Sequence, residues 1–160
     1  MKPEVKVILD RVKQTADYGY VAFESINDTN TFGSNALHCA IVWGDYESAR
    51  ILIENGINIQ QKGEDGCTPL HFACQFGQKE IAKLLLEKGA DPYARTEGNL
   101  PFTEARLSGN DEICELLKPY MAKHEGDESS RKRQNHLGKI DSSIKELEKQ
   151  IGKHCGDEGV

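Results

Sequence analysis

The stretch "DGCTPLHFACQFGQKEIAKLLLEKGAD", residues 65–91, reads as one small structural unit from end to end. Thr68 can cap a helix whose first position is Pro69, where the missing N–H does no harm, and Gly77 ends that short helix. A second helix is predicted from about Lys79 to Lys88, because Ile81, Leu84 and Leu85 recur at helical spacing on one face and Gly89 closes it. The unit is two antiparallel helices and a turn.

The same unit occurs on either side. Shifted by 33, "GSNALHCAIVWGDYESARILIENGIN" (33–58) lies over "GCTPLHFACQFGQKEIAKLLLEKGAD" (66–91), pairing Leu37 with Leu70, His38 with His71, Gly44 with Gly77 and Gly56 with Gly89. A third copy, "GNLPFTEARLSGNDEICELLKPY" (98–120), follows at a shift of 32, with Pro101 over Pro69, Ala105 over Ala73 and Gly109 over Gly77. Upstream, "VAFESIN" (21–27) resembles "LIENGIN" (52–58), and a helical pattern precedes it in "PEVKVILDRVKQ", so residues 1–30 read as a divergent N-terminal capping repeat. Helix pairs this short cannot bury an apolar face alone. Stacking makes the core, and repetition predicts a solenoid.

With the copies aligned, the 65–91 stretch resembles an ankyrin repeat almost throughout, including its T-P-L-H-x-A signature, and the resemblance covers roughly residues 25–120. It implies an all-α fold: an ankyrin-repeat solenoid of antiparallel helix pairs joined by β-hairpin loops, here over residues 31–121. The copies also depart from the pattern. Asn35-Ala36 replaces Thr-Pro in the first clear copy, keeping a capping side chain, whereas Leu100-Pro101 loses the capping hydroxyl and Thr103 replaces the histidine. Such decay suits a terminal repeat that needs a polar outer surface, which Asn110, Asp111, Glu112 and Glu115 are expected to supply.

Composition narrows the function. Across 160 residues the net charge is −6, and residues 122–160 balance at 8 basic and 8 acidic, so residues 1–121 carry the whole excess. An acidic body repels phosphate backbones, which argues against nucleic acid, and favours a basic protein partner. The N-terminus mixes charges into every turn and lacks the apolar run of a signal peptide or membrane span, giving the expectation of a cytoplasmic protein that does not bind membranes. Five cysteines (Cys39, Cys67, Cys74, Cys114 and Cys155) without CxxC spacing fit reduced thiols rather than a disulfide framework or zinc ribbon.

No catalytic, cofactor-binding or metal-binding set is expected. His38 and His71 occupy the histidine column, where the resemblance implies a structural ring that stitches repeats together. The thiols of Cys39, Cys74 and Cys114 fall on helices near small-residue columns, where cysteine acts as a small hydrophobe. The glycines around "CQFGQKEIAK" do not form a phosphate loop. An enzyme or ligand-binding protein built on these histidines or thiols is the alternative of another class.

What remains is surface. The resemblance implies partner contact through the hairpin tips and two variable positions before the helix-ending glycine. Column by column these positions are Val42 and Trp43, Gln75 and Phe76, then Leu107 and Ser108; the tips are Thr31, Phe32 and Ser34, Glu64, Asp65 and Cys67, then Glu97 and Asn99. Aromatics stand where polar residues are usual, so the expected partner-binding residues are Phe32, Trp43, Asp45, Tyr46, Glu64, Asp65, Gln75 and Phe76. Trp43, the only tryptophan, has a second reading as a residue covered by the N-terminal segment.

The tail begins with a polar linker, 122–136. Leu137, Ile140, Ile144, Leu147 and Ile151 then recur at spacings of three and four, predicting an amphipathic helix within 137–160. That helix needs a surface to be stable, whether the last repeat, a second copy or a partner, and the expected state is a monomer or a tail-mediated homodimer. The functional expectation is a non-enzymatic interaction module. One setting is an immunity-type protein that neutralises a cognate basic toxin; the other is a eukaryotic-type adaptor that binds a signalling protein.

Overall fold

A computed structural model describes residues 1–96, 98–123 and 139–149. The chain divides into two compact units, Met1–Tyr120 and Met121–Val160. From Pro3 to Ala122 the helices run in the order α1 (Pro3–Val12), α2 (Ala36–Val42), α3 (Tyr46–Glu54), α4 (Pro69–Gln75), α5 (Lys79–Glu87), α6 (Pro101–Leu107) and α7 (Asp111–Ala122), with a 3-10 turn at Glu64–Gly66. No strand occurs among the described residues.

Helices α2/α3, α4/α5 and α6/α7 are the three repeated pairs. In the first pair, Asn35 caps α2 by accepting the Leu37 N–H (3.2 Å), and Asp45 caps α3 by accepting the Ser48 N–H (3.0 Å). Each pair turns at the aligned glycine, and Gly44, Gly77 and Gly109 all have φ near +70° (67°, 69° and 71°). The short helices form one layer, with α4 packed between α2 and α6, while α3 packs on α5 in the second layer. Between the layers lies the core, where Leu37, Ile41, Leu52, Leu70, Ile81, Leu85, Ile113 and Leu117 are fully buried.

The N-terminal segment forms one helix rather than a pair. Val5, Ile8, Leu9 and Val12, at spacings of three, one and three, bury one side of α1 against α2 and α3. The "VAFESIN" stretch is not helical, despite its likeness to the α3 sequence. It has no glycine closure like the later copies, and Phe23 sits at φ 51°, outside the helical region for an L residue. Gly19 and two turns of irregular chain lead into it instead.

Among the described residues the hairpin loops contain one antiparallel bridge, Thr29 to Asn35. Backbone bonds close the loops, Asn30 N–H to Ser34 O (3.0 Å) in the first and Gly63 N–H to Cys67 O (2.9 Å) in the second, and in the first loop Asn30 Oδ1 also accepts the N–H groups of Phe32 and Ser34 at 3.0 Å. At the far end, Leu100 precedes α6 with no side-chain cap, as its lost hydroxyl predicts. Asp111, Glu112 and Glu115 are exposed on α7. Asn110 departs from the expected solvent-facing role. Its amide turns inward and donates to Cys74 O (2.7 Å), clamping α7 onto the preceding repeat and satisfying a carbonyl at the end of α4.

In the second unit, residues 139–149 are helical, with Ile140 and Ile144 half-buried and Leu147 exposed. Leu137, Ile151, His154, Cys155 and all of the expected linker beyond Lys123 lie outside the described residues. Ala122, placed in the linker from sequence, instead ends α7.

Candidate functional site

The surroundings of the two histidines decide what chemistry they can do. His71 Nε2 lies 3.2 Å from Asn99 O, and a carbonyl there requires the proton on Nε2. Nδ1 then accepts from the Thr68 N–H (3.2 Å) and hydroxyl (2.9 Å). His38 repeats the arrangement: Nε2–H donates to Cys67 O (3.2 Å) and Nδ1 accepts from the Asn35 N–H (3.2 Å). Each ring ties its own helix start to the loop of the next repeat. Burial pushes both imidazoles towards the neutral form, His38 down to about 4 against the pull of its bonds to Cys67 and Asn35. Neither nitrogen of either ring is left for a substrate or metal.

The thiols are similarly quiet. Burial raises Cys39 and Cys67 to about 11 and lifts Cys74 and Cys114 as well, which favours the protonated, weakly nucleophilic form. All four are free thiols. Among the described residues, no group of three or more His, Cys, Asp or Glu side chains is placed to hold a metal ion.

The exposed surface has a different character. Phe76, at the end of α4, is 47% exposed, and its ring leans on Phe72 with centroids 5.9 Å apart. Phe72 in turn meets the His38 ring edge-on at 5.0 Å, so the aromatic row is anchored to the buried stitch. Val42 at the end of α2 is 46% exposed, and Leu107 at the end of α6 is 64% exposed. Three successive short helices therefore each end in a large apolar side chain open to solvent.

Val42 and Leu107 occupy one column of the repeat and Phe76 the next, so the apolar helix ends follow the repeat, and the family comparison agrees with that periodicity. The sequence profile described as ankyrin repeats (three copies) matches residues 5–96 and 59–132. The chain belongs to the ankyrin-repeat family. No curated protein matches the sequence. Ankyrin repeats generally serve as non-enzymatic protein-interaction modules, so the chain's repeats are a protein-binding scaffold.

The residues expected at an ankyrin interface fall into two groups. Phe32 (53% exposed), Gln75, Phe76, Glu64 and Asp65 are open to solvent, the last two on the 3-10 turn between repeats. Tyr46 is also exposed, as the first residue of α3 in the second helix layer. Trp43 is half-buried. The Arg11 guanidinium lies 4.0 Å from the centre of its ring, and Arg11 Nη1 also reaches Asp45 Oδ2 at 2.7 Å. Asp45 is thus engaged on all sides, since Ser48 Oγ donates to the same oxygen at 2.8 Å. Burial opposes ionisation of this carboxyl, but the Ser48 bonds and Arg11 together hold it below the usual range.

Sequence reasoning placed Val42 and Leu107 at variable positions but did not select them. The available signal was their column: with Gln75 between them, they are the same position in three ankyrin copies, and two of the three are large and aliphatic. Ser34, expected at a tip, is buried, and its hydroxyl accepts the Glu64 N–H (3.3 Å) to join adjacent loops. Glu97 lies outside the described residues.

Proposed function

We propose that the repeats bind a basic protein through the face marked by Phe32, Val42, Trp43, Gln75, Phe76 and Leu107, bordered by Glu64 and Asp65. The observation that carries this reading is the solvent exposure of Val42, Phe76 and Leu107 at the ends of three successive helices. Apolar side chains grouped in this way gain free energy when a partner covers them, whereas the same residues scattered singly need no explanation. The body's excess of acidic residues supplies the charge preference. Tyr46 belongs to the rim of the same contact if the partner wraps past the turn at Gly44.

Within this reading, the partner is a toxic protein such as a basic nuclease, and the chain acts in the cytoplasm as the immunity-type inhibitor that holds it inactive. An acidic surface suits that occupant, which carries its own positive charge for nucleic acid. An adaptor that engages a signalling protein is the competing setting. No helix among the described residues is long and apolar enough to cross a membrane, and no membrane partner is invoked.

The test begins with the immobilised full chain and an extract of the source cell. Captured proteins are identified and purified, and each is assayed for toxicity and nuclease activity with and without the chain. One cationic protein, inhibited at a one-to-one ratio and lost from the F76A/L107A variant, is the expected result. Capture of an acidic or neutral protein by a route insensitive to both substitutions contradicts it.

A further inference from the structure

The contact between Arg11 and the Trp43–Asp45 pair has the composition of a guanidinium-binding site. The ring face of Trp43 supplies the quadrupole, with Arg11 Cζ 4.0 Å from its centre, and Asp45 Oδ2 supplies the charge at 2.7 Å. The acceptor is fixed before any cation arrives. Asp45 caps α3, with Oδ1 held by the Ser48 N–H and Oδ2 by the Ser48 hydroxyl, so its carboxylate cannot swing away without uncapping the helix.

The occupant is held far less firmly than the site. The Arg11 side chain is 55% exposed, and it projects from the last turn of α1, whose anchoring residues are Val5, Ile8, Leu9 and Val12. Moving the guanidinium off the indole disturbs none of those four. Trp43 also stands at the variable position that aligns with Phe76 on the next repeat, within the face proposed for a partner.

We propose that Trp43 and Asp45 form an arginine-recognition site for the partner, and that Arg11 is its occupant in cis, displaced when a partner arginine enters. This rests on the proposed binding of a basic protein and names the side chain that it presents. The exchange replaces one cation–π contact and one ion pair by equivalent ones, so Arg11 weakens entry without closing the site. Contacts of these two kinds together are worth about a tenfold change in an equilibrium. Arg11 therefore selects partners that bring further contacts, such as those over Phe76, against isolated arginines.

Trp43 is the only tryptophan, so its indole N–H resonance reports on this site alone. Acetyl-hexa-arginine amide and acetyl-hexa-lysine amide are titrated into the wild-type chain, R11A and R11Q, with circular dichroism as the check on folding. R11Q keeps much of the side-chain length if R11A perturbs α1. Hexa-arginine is expected to bind the variants about tenfold more tightly than wild type and to shift the indole resonance, with hexa-lysine weaker in both respects. Equal affinities in wild type and variants, or saturation that leaves the indole resonance unmoved, overturn the proposal and make Arg11 a fixed strut. Because the peptides read Trp43 without the natural partner, this test and the capture experiment fail independently.

Discussion

His71 illustrates how a residue that looks chemical becomes structural through its neighbours. Its ring is fully buried and fully bonded, and truncation to alanine leaves the Thr68 N–H and the Asn99 carbonyl without their partner. H71A is expected to lower unfolding stability by about 2–4 kcal/mol in urea titration, the range for a cavity plus unpaired buried polar groups. His38 gives the same logic a pH signature. Its folded value is near 4, whereas an unfolded histidine titrates near 6.5, so between those limits the unfolded chain binds the extra proton. The stabilisation is complete above about pH 6.5 and is lost as pH falls towards 4, with His71 acting in the same direction. The urea midpoint should therefore fall between pH 7 and pH 4.5, and H38Q should flatten that fall to the share left by His71. Both histidine roles were legible in the sequence, because the alignment put the rings in one column and the ankyrin resemblance implied a structural ring there. The cover over Trp43 was only an open alternative there. Arg11 lies 32 positions upstream in a helix outside the repeat register, and no spacing rule connects the two.

At the scale of elements, the aligned glycines between helices fixed where each pair turns, yet these glycines differ in what surrounds them. Gly77 and Gly109 share a φ near +70°, but a Cβ on Gly77 would stand 3.0 Å from Asn110 Oδ1, whereas nothing lies within 4 Å of one on Gly109. G109A is expected to cost only the backbone penalty of about 1–2 kcal/mol. G77A should cost about 1 kcal/mol more, because pushing Asn110 aside weakens its bond to Cys74 O. Chemical denaturation of the two variants compares them directly, and equal losses would show that the Asn110 clamp contributes nothing. Helices α2 to α7 were readable from capping residues, glycines and the Leu/Ile spacing. The N-terminal segment, residues 1–30, was less so, since "VAFESIN" shares residue types with α3 without the closing glycine that ends it. Asn110 was misread for a related reason: a polar residue at the end of a repeat array looks solvent-facing until the carbonyls of the previous helix are located.

For the whole molecule, the exposed aliphatic and aromatic helix ends and the acidic charge make separate predictions. Charge acts at long range, so association with a basic partner should slow by about tenfold between low and high ionic strength while dissociation changes little, as stopped-flow mixing would measure. The helix ends act on contact and should govern dissociation. The site was partly legible: Phe32 and Phe76 are exposed as their columns implied, but Val42 and Leu107 gained weight only when their exposure marked the column next to that of Phe76. The decisive comparison is the affinity of the captured partner for wild type, F76A/L107A and the control K83A/E87A, which alters exposed residues of α5 in the other helix layer. The folded F76A/L107A chain should bind at least about 30-fold more weakly by calorimetry, with the control near wild type. Unchanged affinity in F76A/L107A, or an equal loss in K83A/E87A, would contradict it.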